Sequence, residues 1–465
     1  MLLRGDFVHF PKLDSMEIFH DHLLGKTSTN SSGYIYYFYS ARTNQSQALL
    51  DDTYEPVITV PQGSFFVPTF CDLHLHAPQF LYQGTGLHLP LMKWLDEYAF
   101  KAEERIDGEP ELARRVYKRL AERLVQNGTG AVLLFGTIKE ETNIILAEAM
   151  QNAGLRGLVG KLSMDISTRP TYTEHTSAEA IVAASSFLDR MAALTADLPP
   201  HMRLVEPVLT PRFVPTCSDA LLHGLGELAA RTGVRVQSHL AEARDEVDWV
   251  RSERGVDDID VFDKAKLLGE RTIQAHCTFL SPTDLARLSA RGTALAHCPL
   301  SNAYFSAQPL RLREALRRGV RVGLGSDVAG GYSADVMSAM RWAVGVSRMR
   351  EGVRTEQMRA KGQQGEEVDE EVKVDWREAM YMATRGGAEA LGLDCGVFKV
   401  GAPFDAQCIH LFDPLAGRGV GALDFFDIEA GGARELSGEM VEKWWCLGDT
   451  RNRVGVWVQG RKIGP

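Results

Sequence analysis

FFVPTFCDLHLH, residues 65–76, is the stretch on which the architecture turns. It is a short apolar run without helical spacing, and it ends in two histidines two residues apart. Alternate side chains of a strand point to one face, so His74 and His76 leave the end of this strand side by side. Seven more runs of the same kind follow. They are AVLLFGT (131–137), RGLVGKLSMD (156–165), RLVEPVLT (203–210), VRVQSHL (234–240), RTIQAHC (271–277), ALAHC (294–298) and VRVGLGSD (320–327). Amphipathic stretches separate them, such as ELARRVYKRLAERLVQNG (111–128) and CSDALLHGLGELAARTG (217–233). Both end in glycine, as a helix C-terminus prefers. Eight strand runs with helical intervals predict an α/β fold, a (β/α)8 TIM-like barrel.

Outward from the barrel the character changes. Before residue 64 the chain carries aromatic and β-branched runs such as YIYYFYS (34–40), broken by Ser, Asn and Gly. After Cys395 it returns to runs read as β: VFKVGAPFDAQCIHL, MVEKWWCLGD and RVGVWVQGRKI. Residues 1–63 and 395–465 therefore predict one small composite β domain built from both chain ends, around a barrel domain at 64–394. WREAMYMATRGGAEALGL (376–393) reads as helix after the barrel closes. The polar segment 351–375, containing RAKGQQGEEVDEEVK, reads as an exposed, mobile insertion, or else as a charged solvent-facing helix.

Four strand ends carry groups that bind metals. His74 and His76 end the first run, His239 the fifth, His276 the sixth and Asp327 the eighth. In a barrel these ends share one mouth, where catalytic groups collect. A lone HxH is more often core or surface histidine, but placement at four strand ends makes coincidence a poor account. Imidazoles with one carboxylate suit Zn²⁺ or Fe²⁺, one ion per chain. Glu242, three residues past His239, leaves two readings open: a general acid beside the metal, or an acid that merely opens the next helix. Lys161 lies on a strand, but this set needs no bridging lysine. His297 and Cys298 read as packing near the mouth. His9, His20, His22, His88, His175, His201, His223 and His410 read as incidental.

The HxH, SHxxE, strand-end His and GSDxxxG elements resemble the amidohydrolase superfamily. Within it, HLHAPQ (74–79), GTGLHLPLMKWLDEY (84–98), TPRF (210–213), SHLAEARDEV (238–247), AHCPLSN (296–302), GLGSDVAGGYS (323–333) and the tail CLGDTRNRVGVWVQGRKI resemble the guanine deaminase family, nearly end to end and in order. HxH alone specifies only the superfamily. HxHAPQ with TPRF and DVAGGYS is much narrower. PTFCD departs from the commoner glycine-containing run before HxH, at no cost in ligands.

The resemblance implies hydrolytic deamination of guanine to xanthine and ammonia at a single zinc. It implies that His74, His76, His239, His276 and Asp327 form the metal site, with Glu242 shuttling protons, Asp327 taking the water proton and His276 steadying the centre. Gln79, Arg212 and Phe213, together with His239 and Glu242, would contact the purine. It also implies a homodimer. An Arg fork matches the adjacent O6 and N7 acceptors of guanine, which places Arg212 on that edge. A sister enzyme acting on another purine, a pyrimidine or a triazine shares the metal chemistry and differs only in the pocket. A catalytically inactive barrel acting as a binding protein conflicts with the intact ligand set.

Composition excludes other classes. Hydrophobic residues at 45% and charged residues at 24% are those of a globular enzyme, and the formal net charge of −10 gives no basic stripe for nucleic acid or an anionic membrane. No apolar run reaches the roughly 18 residues of a membrane helix. Seven scattered cysteines without a CxxC pair predict reduced thiols. With no secretory core at the start, the expected location is cytoplasmic.

Overall fold

The computed structural model describes residues 1–28, 32–54, 56–361, 371–424 and 434–465. Eight parallel strands form its centre. They are β1 (Phe70–His76), β2 (Thr129–Phe135), β3 (Arg156–Ser163), β4 (Val205–Pro211), β5 (Arg235–Leu240), β6 (Thr272–His276), β7 (Ala294–His297) and β8 (Val322–Leu324). Each pairs with the next in order. Just past β8 the chain closes on β1: Asp327 N–H donates to the His74 carbonyl at 2.8 Å, and His76 N–H to the Val328 carbonyl at 3.0 Å. Closure requires close approach, since a Cβ on Gly325 would meet the His74 Cβ and the Cys298 sulfur at 2.8 Å.

Helices pack outside the barrel, as the amphipathic stretches predict. Pro110–Gln126 and Asp219–Thr232 are helical, and Gly233 follows the second in the left-handed conformation. Leu112, Val116, Leu120 and Leu124 bury the inner face of the first helix. Burial of a side chain of this size contributes about 1.5–3 kcal/mol. The strands are buried almost throughout, which explains why they read as apolar runs rather than as alternations.

A second eight-stranded sheet joins both chain ends. Its path runs Arg461–Gly464, Arg453–Val458, Ala406–His410, Ser64–Pro68, Leu2–His9, Glu17–Lys26, Ile35–Ser40, with Val57–Thr59 on Leu2–His9. The run 65–76 is thus divided. Ser64–Pro68 pairs antiparallel with Ala406–His410 in this sheet, and only Phe70–His76 enters the barrel.

Two expectations need correction. MVEKWWCLGD is not a β run: Gly438–Leu447 is a helix, capped by the Ser437 hydroxyl, with Met440, Val441, Trp444 and Trp445 on its buried face. Short apolar runs do not separate the two states, and here the cap and the i, i+4 pairs decide. The second concerns 351–375. Residues up to Ala360 continue the helix Val336–Ala360, and Val372 and Val374 are buried. The Glu351 carboxylate accepts from Val372 N–H at 2.6 Å, and the Ser347 hydroxyl from Val374 N–H at 3.0 Å. Both flanks therefore pack on the body, and 362–370 lies outside the described residues. Among the described residues no helix is long and apolar enough to cross a membrane.

Candidate active site

The strand ends bring the predicted donors together. One ligand atom each from His74, His76 and His239 lies within 4.8 Å of the others, and the same holds for His74, His276, Cys298 and Asp327. None of the eight histidines read as incidental joins either group. Ring nitrogens of these residues face one another. His239 Nδ1 donates to the Arg212 carbonyl at 2.6 Å, and His276 Nδ1 donates to Asn302 Oδ1 at 2.9 Å. Each therefore directs an Nε2 lone pair inward, the arrangement that outer partners impose on metal-binding histidines. His76 Nε2 and His239 Nε2 stand 2.9 Å apart, while the buried Nε2 atoms of His74 and His276 have no hydrogen-bond partner. Asp327 approaches His74 Nε2 at 3.2 Å and His276 Nε2 at 3.8 Å. Converging, unpartnered, buried nitrogens beside a carboxylate fit a divalent cation of the zinc type.

Protonation supports the same fit. Burial and then the neighbouring rings push His76 and His239 well below the ordinary imidazole value, and His276 down to about 4, so these rings are neutral. Burial would raise Asp327, but the adjacent His74 and His276 outweigh it and hold its carboxyl below the usual value. Cys298, read from sequence as packing, lies inside the second donor group. Burial pushes its thiol far up, and Sγ donates to the Ala296 carbonyl at 3.5 Å. Lys161 is engaged elsewhere, donating to Glu174 at 2.6 Å and to the Leu162 carbonyl at 2.9 Å. His297 is buried beside His276 and pushed down to about 3.

Local backbone explains how strand ends aim these groups. His276 and Asp327 both adopt left-handed φ, at 66° and 48°, a costly conformation for residues with a Cβ and one that clusters at active sites. Asp72, within DLHLH, ties the two ends of the barrel. It accepts from the N–H groups of His74 and Ser326 and from the Ser326 hydroxyl. Burial raises its carboxyl to about 6.

Glu242 faces the cluster, with Oε2 3.6 Å from His276 Nε2. Burial first, then the charges of Asp327 and Glu246, push its carboxyl well above the ordinary value, which favours its protonated form. Its backbone is pinned: Glu246 accepts the Glu242 N–H at 2.7 Å, and the Ser306 hydroxyl donates to the Glu242 carbonyl. The helix that follows begins only at Arg244. Glu242 therefore lies before it, and the helix-opening acids are Asp245 and Glu246.

Beside the donors is a small cavity of about 20 Å³. Its wall includes His76, Gln79, Arg212, Phe213, His239, Glu242 and Asp327, which unites every sequence-predicted purine contact. Leu91, Trp94, Leu95 and Phe305 line it as well. The Trp94 and Phe305 rings meet at 5.0 Å. Gln79 and Arg212 both hydrogen-bond Glu103, which is fully buried. Sequence reasoning did not find Asn302, Phe305 or Glu103. AHCPLSN held a signal for Asn302, a polar residue soon after a strand end, whereas Glu103 on the helix Phe100–Gly108 carried none.

A barrel with donors at its first, fifth, sixth and eighth strands is a metal-hydrolase architecture. The chain belongs to the amidohydrolase family, whose model matches residues 65–463. Within that family it is similar to guanine deaminases. That of Mus musculus is 35% identical over 472 residues, covering all of this chain and 97% of the mouse protein. That of Dictyostelium discoideum is 33% identical, covering 99% and 98%. A solved guanine deaminase from C. acetobutylicum, with guanine bound in its active site, superposes with a TM-score of 0.82 at 27% identity over 99% of both chains.

Proposed function

We propose that this chain is a hydrolase that deaminates guanine to xanthine and ammonia, using one zinc ion. The observation that carries the reading is the buried cluster of inward-facing His nitrogens beside Asp327, next to a cavity walled by Gln79, Arg212 and Glu242. His74, His76, His239, His276 and Asp327 are the residues that would hold the metal. When bound, such an ion supplies the Lewis acidity that makes water nucleophilic at neutral pH.

The chain's own groups do the rest. Arg212 Nη2 is a buried donor without a protein partner, suited to the O6 edge of guanine. Gln79 reads the same purine along its amide, and the Phe213 ring covers a face. Glu242, protonated by its burial, donates to the ring nitrogen beside the attacked C2. Asp327, held ionised, takes the proton that the attacking water loses. Glu242, now ionised, takes the proton of the C2 hydroxyl as the carbonyl forms and passes it to the departing amino group; ammonia leaves, and the proton on Asp327 returns to Glu242. His276 steadies the charge between the two carboxyls. A homodimer in the cytosol belongs to the same proposal, and the exposed Trp342, Met349 and Val353 along one helix favour self-association.

Incubation of purified protein with guanine, adenine, cytosine and their nucleosides, with ammonia as the readout, tests the substrate. Release from guanine alone is expected, with about one zinc per chain by elemental analysis. Release from adenine or cytosine at a comparable rate defeats the assignment.

A further inference from the structure

Glu103 has no part in the chemistry above, and it stands behind the cavity rather than in it. Its side chain is fully buried and absent from the cavity wall, whereas both groups that it holds are in that wall. Oε2 accepts from Arg212 Nη1 at 2.6 Å, and Oε1 accepts from Gln79 Nε2 at 2.9 Å. These partners follow different strands. Gln79 lies in the turn after β1 and Arg212 just past β4, so one carboxylate spans two loops of the barrel mouth. Phe100, one turn earlier on the same helix, lies 4.9 Å from Arg212 Cζ and covers the guanidinium.

This arrangement fixes the sense of each group. Gln79 Oε1 accepts from Ala329 N–H at 3.2 Å. Its amide thus turns oxygen toward Ala329 and nitrogen toward Glu103. Rotating the amide would set its oxygen against the carboxylate. The nitrogens left for a ligand are one N–H of Gln79 and the unpartnered Nη2 of Arg212, while Gln79 Oε1 is engaged by Ala329 N–H. Both nitrogens are donors. A buried ion pair contributes little to stability compared with apolar packing of the same volume, so orientation is the better account of Glu103.

We propose that Glu103 is the positioning residue that sets specificity here: by clamping Arg212 and Gln79 it fixes the direction of their N–H donors toward the ligand, which favours a purine with an oxygen at C6 over one with an amino group there. The inference rests on the reading of Arg212 and Gln79 as purine contacts. Glu103 touches no substrate and acts through these two.

Calorimetric titration of the intact, zinc-loaded protein with hypoxanthine, adenine and purine tests it. Glu103→Gln is expected to lower the preference for hypoxanthine over adenine by about tenfold or more, since a buried donor loses its fixed direction. Unsubstituted purine should shift by less than about twofold. In an Arg212→Ala background, Glu103→Gln should add little to the loss of preference, as expected of coupled residues. Equal weakening of all three ligands, or an unchanged preference, overturns the inference. If Arg212→Ala removes the preference while Glu103→Gln leaves it, only the role of Glu103 fails. If Arg212→Ala also leaves it intact, the purine-edge reading fails with it. Glu103→Asp, which keeps the charge but cannot span both partners, should shift the preference in the same direction and replaces Glu103→Gln if that variant does not fold.

Discussion

The two ends of the cavity are built differently. At the end proposed to hold the metal, donors from four strand ends converge, each aimed by its own strand, and His239 and His276 also by an outer hydrogen bond. At the substrate end, two side chains from separate loops depend on one carboxylate that neither strand supplies. Arg212 joins the ends. Its carbonyl accepts from His239 Nδ1 on the metal side, while its guanidinium faces the cavity. A scaffold fixes the first end by register and the second by side-chain contact, so chemistry is set by the barrel and choice of ligand by what packs around it.

Substitutions at the two ends should then fail in different ways. Glu242→Gln should have the largest effect. The shape is kept, but Gln cannot carry out the proton transfers proposed for Glu242, and the rate constant should fall by about 10⁴ or more, at the upper end for a positioned acid–base group. Zinc content should stay at the wild-type level, because the described donor groups do not include Glu242. A near-normal rate would break the division of labour between acid and ligands. Arg212→Ala comes next, with a loss of about two orders of magnitude in kcat/KM for guanine, or roughly 3 kcal/mol. The backbone carbonyl that orients His239 survives this change, so zinc should remain. A variant that loses zinc would show that the ends are one unit.

The smallest effect lies beneath Glu242. Glu246 and Asp258 are buried carboxyls close together, and burial raises Asp258 to about 7. The folded chain therefore binds this proton more tightly than the unfolded chain, whose carboxyl titrates near the ordinary value. Stability is full below the ordinary value and falls as pH rises through about 7. Asp258→Asn removes that titration, so its melting temperature should drop less between about pH 5 and about pH 8 than that of wild type. Parallel curves would remove Asp258 from the account.

Legibility in the sequence followed the same division. Barrel strands and donors could be read because strand ends obey a local pattern: an apolar run, then His or Asp. TPRF and HAPQ pointed to the proposed purine contacts only through family resemblance. Glu103 was invisible because its partners lie 24 and 109 residues away and nothing in its own helix, Phe100–Gly108, marks it out from its neighbouring acids. MVEKWWCLGD misled because five large apolar residues in a short run satisfy a strand and a helix equally. The polar composition of 351–375 hid Val372 and Val374, two buried side chains among many charges.

The sheet that joins the chain ends imposes an order in time. Ser64–Pro68 pairs with Ala406–His410, so roughly 340 residues must be translated between the two strands, which takes about 17–70 s at 5–20 residues per second. Throughout that interval Ser64–Pro68, entirely buried in the finished protein, offers a bare apolar edge of the kind that recruits other chains. Nascent molecules on one message carry this edge side by side, and the cell's yield of enzyme depends on keeping them apart until the last strands emerge.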